Sequence, residues 1–181
     1  MTITTTEAEE RRYAELQWLA LEAARTGDTE LLASMICHGL APNLADLKGN
    51  TLLMLACYHQ QPATARMLLA QGAEADRRNY RGQTPLGGAA FKGYEDIVAL
   101  LLEHGAEIDA DNGAGMTPLM FAAMFGRTRV VAQLQAHGAS LHRRNRLGLS
   151  ARFMVRLAGG FNRLFRRATP ASQPASRPNN L

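Results

Sequence analysis

The hydrophobic and polar positions of this chain repeat with a period of 33 residues. The segment 79–111 contains two apolar runs with helical spacing, and segments on both sides of it copy this arrangement. Steps of 33 residues from four of its positions meet residues of the same type. The four sets are Gly49, Gly82, Gly115 and Gly148; Thr51, Thr84, Thr117 and Ser150; Ala23, Ala56, Ala89 and Ala122; and Gly39, Gly72, Gly105 and Gly138. Four positions in one register predict a solenoid of stacked units.

Each unit is predicted to contain a helix, a turn, a second helix and a loop. Gly82 suits a tight turn with positive φ, and the hydroxyl of Thr84 can cap a helix that begins at Pro85. That helix is expected to end near Gly93. An apolar helical face follows, and Gly105 supplies the stop signal of the second helix.

These units resemble the ankyrin repeat, through GQTPLGGAAFKGYEDIVALLLEHGAEID at 82–109 and GMTPLMFAAMFGRTRVVAQLQAHGAS at 115–140. The resemblance covers roughly residues 15–167 and implies an all-α solenoid of about five helix-turn-helix units with projecting loops or β-hairpin tips. The predicted repeats are 7–45, 46–78, 79–111, 112–144 and 145–167, the last ending in a short helix at 161–167. Residues 1–6 are expected to be flexible, and 168–181, rich in Pro, Ser, Ala and Asn, to be disordered.

The first unit is predicted to cap the stack. Its first helix is expected at 7–25 and its second at 29–38, with apolar residues recurring at spacings of three and four. Trp18 is interpreted as a packing residue of this cap. Cys37 and Cys57 lack a metal-binding spacing and are expected to be small buried hydrophobic residues. The predicted inward face of the first helix consists of Tyr13, Leu16, Leu19, Ala20 and Ala23.

The central repeats depart from the pattern at several positions. Gln60 replaces the glycine of the turn between helices, but Pro62 can still open the next helix. Gly87 and Gly88 weaken the first helix of the third repeat, which serves either close helix packing or a functional purpose, namely local adaptability or a close approach by a partner. The family usually has histidine after TPL, where this chain has Met54, Gly87 and Met120. We therefore expect a lost hydrogen bond and lower thermal stability.

Composition agrees with one domain, because 46% of the 181 residues are hydrophobic. The N-terminal segment has acidic residues ahead of its apolar ones and lacks the hydrophobic run of a signal peptide. No segment approaches 18 consecutive apolar residues, so we expect no membrane span. We predict a cytoplasmic protein, and since a capped solenoid gives no strong reason to self-associate, a monomer.

Enzymatic chemistry finds little support in the sequence. Of the five histidines, His38, His104 and His137 share one register position before the loop glycine, which indicates polar helix ends. There is no phosphate-binding glycine loop and no nucleophile with a plausible base. We predict no catalytic residues, metal, cofactor or small-molecule substrate. Haem ligation by Cys57, Tyr58 and His59 is a remote alternative.

The resemblance implies that partners bind the concave face, formed by the first helices, and the loop tips. A protein partner is the expectation, and small bacterial members of the family serve as accessories, regulators or inhibitors of other proteins. Aromatic residues and arginine dominate interface energies. Either Phe91 or Phe125 could instead turn inward beside the small alanines. The predicted binding residues are Tyr58, His59, Tyr80, Arg81, Phe91, Lys92, Met116, Met124 and Phe125.

The C-terminal end carries a second candidate surface. Residues from 143 onward include nine arginines and no acidic residue, a formal charge of +9, whereas residues 1–142 carry −5. This end could tether the protein to nucleic acid or an anionic membrane, aided by Phe153, Phe161 and Phe165. It could equally be a solvated cap whose phenylalanines close the core. The predicted basic patch is Arg143, Arg144, Arg146, Arg152, Arg156, Arg163, Arg166 and Arg167.

Overall fold

The computed structural model describes residues 6–158, which form helical pairs. A further helical stretch covers 151–158. The predicted all-α repeat solenoid is confirmed. The tail at 168–181 and the helix at 161–167 lie outside the described residues. The helices are α1 Glu7–Thr26, α2 Thr29–Cys37, α3 Leu52–Tyr58, α4 Pro62–Ala70, α5 Pro85–Lys92, α6 Glu95–Glu103, α7 Pro118–Met124 and α8 Thr128–Ala136.

The helices form two layers. The inner layer stacks α1, α3, α5 and α7 in that order, and the outer layer stacks α2, α4, α6 and α8 behind them. Each inner helix also packs against the outer helix that follows it. The core is a ribbon between the layers and includes fully buried side chains such as Leu53, Leu86, Ile97 and Leu119. No unit buries its apolar face alone, as expected of a solenoid.

Threonine caps set the starts of the inner helices. The hydroxyl oxygens of Thr51, Thr84 and Thr117 accept hydrogen bonds from the amides three residues later. Proline occupies the first position of α5 and α7, where a missing amide hydrogen costs nothing. The predicted start of α5 is therefore confirmed.

The turn between an inner helix and the outer helix that follows requires one residue in the left-handed backbone conformation, with positive φ. Gly27, Gly93 and Gly126 occupy it with φ of 86°, 88° and 66°. Gln60 takes the same position in the second repeat with φ 59°, and Pro62 begins α4 as predicted. The turn forms, although a non-glycine residue is disfavoured in this conformation.

The loop tips are held by side chains that bond their own backbone. Oδ1 of Asp46, Asn79 and Asn145 accepts amide hydrogen bonds from residues two and four positions later. In the fourth repeat Asp111 performs this task with Gly113 and Gly115. The side chain of Asn112, which the register aligns with Asn79, is thereby released for another contact.

The predicted packing of the first helix is wrong for its N-terminal part. Tyr13 and Trp18 are 61% and 62% exposed, and Leu16 and Leu19 are also exposed. The helix has 20 residues, whereas its inner-layer neighbour α3 has seven. Only the C-terminal end of α1 therefore reaches α3, and its buried residues are Ala20, Ala23 and Ala24.

The two cysteines have different environments. Cys57 is buried, as expected, but Cys37 is exposed, so that prediction is wrong. Cys37 is the last residue of α2, an outer helix of the first unit that has an outer-layer neighbour, α4, on one side only. A helix with one neighbour covers less of its surface than a central one.

Candidate functional site

The inner helices and the loop tips enclose an open groove of about 500 Å³. It extends across α3, α5 and α7 and reaches the tips that precede α3 and α5. The structure brings six of the nine predicted binding residues together along this groove. They are Tyr58, His59, Arg81, Phe91, Met124 and Phe125.

The centre of the groove is a recess at Gly88. The 33-residue register aligns Gly88 with Leu55 and Phe121, which also line the groove. A Cβ atom at Gly88 would meet nothing closer than Cδ2 of Tyr58 at 3.8 Å. A large side chain is therefore missing between two that are present, and the space is open.

Gly87 has the opposite environment. A Cβ atom there would overlap the side chain of Asn112. Oδ1 of Asn112 accepts hydrogen bonds from the amide and the hydroxyl of Thr84 at 2.8 and 2.9 Å, and Nδ2 donates to the carbonyl of Ala110. Asn112 thus gives Thr84 a buried partner where this repeat lacks the usual histidine. Close packing explains Gly87 but not Gly88.

Aromatic rings form the groove wall next to this recess. The rings of Phe91 and Phe125 meet edge to face, with centroids 4.3 Å apart and an interplanar angle of 67°. Phe125 and Tyr58 are 42% and 43% exposed, and Phe91 is half-buried. Neither phenylalanine belongs to the buried core, so the inward-turned alternative is wrong for both. The exposed Met124 continues the apolar wall along α7.

Cationic groups surround the aromatic wall. Nζ of Lys92 lies 4.4 Å from the centroid of the Tyr58 ring, a cation–π contact. Arg25 bridges Glu22 at 3.2 Å and Asp46 at 3.9 Å. Partial burial, followed by the positive charges of Arg25 and Lys92, lowers the pKa of His59. Partial burial and the nearby positive charges therefore both favour the neutral form of His59.

Three predicted residues lie outside the groove lining. Lys92 reaches it only through its contact with Tyr58. Tyr80 is 82% exposed on its tip, and its ring packs on the backbone of Gly49. Met116 is half-buried against the core, with Nδ2 of Asn145 3.5 Å from its sulfur.

Several lining residues were missed by sequence reasoning. Phe121 had a readable signal, because it stands 33 residues after Gly88 and one helical turn before Phe125. Asp46, Asn79 and Asn112 share one register position, and the sequence analysis singled out none of them. The local signal that sets Asn112 apart is Asp111 directly before it, which can make the loop bonds in its place.

The basic patch forms a separate exposed surface within the described residues. Arg143, Arg144, Arg146, Arg152 and Arg156 are exposed, and none forms an ion pair within residues 6–158. One guanidinium, that of Arg144, donates to the carbonyl of Gly148 at 2.7 Å. Phe153 is 50% exposed beside them. Arg163, Arg166, Arg167, Phe161 and Phe165 lie outside the described residues.

The described residues offer no cluster suited to a metal. Between positions 6 and 158, no group of three or more His, Cys, Asp or Glu side chains could hold one. Cys57 lies in the core, where burial raises the pKa of its thiol, and it does not line the groove with Tyr58 and His59. The haem alternative thus lacks its proposed ligand set. None of the described helices is long and apolar enough to span a bilayer.

Stacked helical pairs, glycine turns and a groove along the inner layer define a helical repeat protein. Residues 20–112 match the family model described as ankyrin repeats in three copies, and residues 114–146 match the single ankyrin repeat. Since the first match alone covers half of the chain, the chain belongs to the ankyrin repeat family. The predicted resemblance is confirmed. Ankyrin repeats are in general protein–protein interaction modules and are typically not enzymes.

A curated relative gives a shorter match. A protein of Pseudomonas aeruginosa strain PAO1, whose name describes it as an ankyrin repeat protein, is 46% identical over 46 residues. The match covers 25% of this chain and 27% of that protein. The matched segment thus spans about a quarter of the relative.

Proposed function

We propose that this chain is a non-enzymatic interaction module that binds a folded partner protein in the groove and at the loop tips. The proposal includes action as an accessory, regulator or inhibitor of that partner, by a monomer in the cytoplasm. The observation that carries it is the row of apolar side chains along the groove, exposed at Tyr58, Met124 and Phe125 and half-buried at Phe91.

The energetics of interfaces support this use of the row. Contiguous apolar side chains on the surface of a soluble protein mark interaction sites, and aromatic anchors in pockets carry most of the binding energy. Tyr58 and Phe125 still have more than two fifths of their surface to bury on a partner. Truncating a true anchor should cost about 2 kcal/mol or more of binding free energy and little stability.

The test is a pull-down from the lysate of the source cell with two matched variants beside the wild type. The groove variant carries Tyr58→Ala, Phe91→Ala and Phe125→Ala. The control carries Tyr13→Ala, Leu16→Ala and Trp18→Ala, which removes from α1 apolar side chains that are more exposed than the three in the groove. Circular dichroism establishes that all three proteins are folded.

A specific protein that is lost with the groove variant and retained with the α1 variant would support the proposal. A partner that the groove variant still retains would contradict it. The affinity for the captured partner is then measured by calorimetry, where the groove variant should lose at least about tenfold. Washing at low and high salt separates this contact from purely charge-driven binding.

The five exposed arginines, without ion pairs in the described part of the chain, favour one alternative function. It is a peripheral tether to nucleic acid or an anionic membrane. Binding would then fall steeply with salt, because each phosphate contact releases a counterion. Replacing Arg143, Arg144 and Arg146 with Glu should abolish capture of duplex DNA or phosphatidylserine vesicles. If capture depends only weakly on salt and is unchanged by these three substitutions, the tether hypothesis is wrong.

A further inference from the structure

The recess at Gly88 has the form of a pocket for one side chain. Its position in α5 is only half-buried, although both neighbouring residues in the helix, Gly87 and Ala89, are buried. The register positions before and after Gly88 hold Leu55 and Phe121. A Cβ atom at Gly88 would lie 3.8 Å from Cδ2 of Tyr58. The side chains at these three positions are aliphatic or aromatic, and space beside such side chains gains most from an apolar occupant.

The rim of the groove is positively charged. Lys48 and Arg81 line it from two successive tips, and neither forms an ion pair with any residue of the described part of the chain. Lys92 adds a third positive charge above Tyr58.

The carboxylate in the groove already has hydrogen-bond donors and a cation as partners. Among the described residues that line the cavity, the one carboxylate is that of Asp46. It accepts hydrogen bonds from the amides of Lys48 and Asn50 and from the Asn50 side chain, and Arg25 lies 3.9 Å away. The uncompensated charge is therefore positive, and it is complementary to an acidic ligand.

We infer that the groove binds an extended acidic segment of the partner protein, and that one large apolar side chain of that segment enters the recess at Gly88. Acidic residues on either side of this side chain meet Lys48, Arg81 and Lys92. The inference rests on the proposed function and narrows it to a class of peptide. The same rim could attract a nucleic acid, but a phosphate backbone presents no aliphatic side chain for the recess.

The experiment begins with a phage-displayed library of random nine-residue peptides selected on the full-length chain. The expected consensus has two or more acidic residues around one Leu, Ile, Met or Phe. The most enriched peptide is synthesised with a fluorescent label, and its dissociation constant is measured by anisotropy. A labelled single-stranded oligonucleotide of the same length is measured in parallel.

Matched variants test the recess and the rim separately. Gly88→Leu fills the recess and should weaken peptide binding by about tenfold or more, while Gly88→Ala, with space for one methyl group, should change it by less than about threefold. The double change Lys48→Glu and Arg81→Glu should also weaken binding by about tenfold or more at low salt. The control Arg12→Glu and Arg66→Glu alters the net charge equally at exposed positions away from the groove and should leave binding unchanged.

Three results would overturn the inference: no enrichment, a consensus without acidic residues, or a peptide indifferent to Gly88→Leu. Tighter binding of the oligonucleotide, lost with the same rim variant, would also overturn it. These results leave the proposed function standing if the captured protein still requires Tyr58, Phe91 and Phe125. The proposed function itself fails only if that capture ignores the three residues.

Discussion

The inner helices of the second and third repeats occupy equivalent positions but meet the rest of the molecule differently. In α3, Met54 and Leu55 are buried side chains, while α5 has Gly87 and Gly88 at the same two positions. The space of the first missing side chain is taken by Asn112 from the next tip. The space of the second stays open to the groove. Of two adjacent glycines in one helix, one thus makes room for a buried side chain and the other leaves open space in the groove.

The largest expected effect comes from Gly87→Ala. The added methyl group would displace the Asn112 side chain and break its buried bonds to Thr84. Overpacking and unpaired buried groups together should lower the free energy of unfolding by about 2–4 kcal/mol. Urea denaturation followed by circular dichroism measures this.

A double-mutant cycle supplies the control for that overlap. Asn112→Ala removes the group with which the methyl would collide, so the double variant should cost at least about 1 kcal/mol less than the sum of the two single changes. If the two single changes add exactly in the free energy of unfolding, a side chain at residue 87 does not collide with Asn112.

The second prediction compares Asn112 with Asn79, one of its register equivalents. Asn112→Ala should cost about 2 kcal/mol of stability, because it leaves the amide N–H and the hydroxyl hydrogen of Thr84 buried without an acceptor. Asn79→Ala should cost about 1 kcal/mol, since the amides of Arg81 and Gln83 that it frees lie at a part-exposed tip and can bond to water. Equal losses in urea would show that the inward turn of Asn112 adds nothing.

The third prediction concerns Gly88→Ala. Alanine is the better helix former by about 1 kcal/mol, and the methyl group meets only Tyr58 at ordinary contact distance. The free energy of unfolding should therefore rise by up to about 1 kcal/mol, opposite in sign to the change at Gly87. A loss of stability would mean that the recess is not open space.

The smallest expected effect is that of Gln60→Gly, at the turn where α5 has Gly93. The left-handed conformation of Gln60, with φ 59°, strains the backbone, and glycine relieves that strain. Glycine also gives the unfolded chain more freedom, so the net gain should be only about 0.5 kcal/mol. The measurement is the denaturation midpoint, and a lowered midpoint would show that the Gln60 side chain makes a stabilising contact.

Helix positions were predictable because their signals are local. Thr84, Pro85 and Gly93 bound α5 as expected, and α1 and α2 end within one residue of their predicted ends. The lining of the groove also follows from the register, which aligns Tyr58, Phe91 and Met124 on one face. The 33-residue spacing predicts which residues lie on the same face of the solenoid, and it does so without information on the packing of each side chain.

Features that depend on contacts between units could not be predicted. The inward turn of Asn112 requires that Asp111 take over its loop bonds and that residue 87 lack a side chain. The exposure of Tyr13 and Leu16 depends on how far α3 extends, not on their own helical spacing. The inward turn of Asn112 and the exposure of Tyr13 and Leu16 are set by contacts between two elements. The hydrophobic pattern of a single element therefore does not predict them.

The exposed N-terminal part of α1 determines how useful intrinsic tryptophan fluorescence is for this protein. Trp18 is the single tryptophan, and it is 62% exposed on that part of the helix. Its indole is already surrounded largely by water in the native state, so its emission maximum should shift little when the chain unfolds. A probe placed at Phe91 or Phe125 would instead follow the groove itself, in the free protein and with a partner bound.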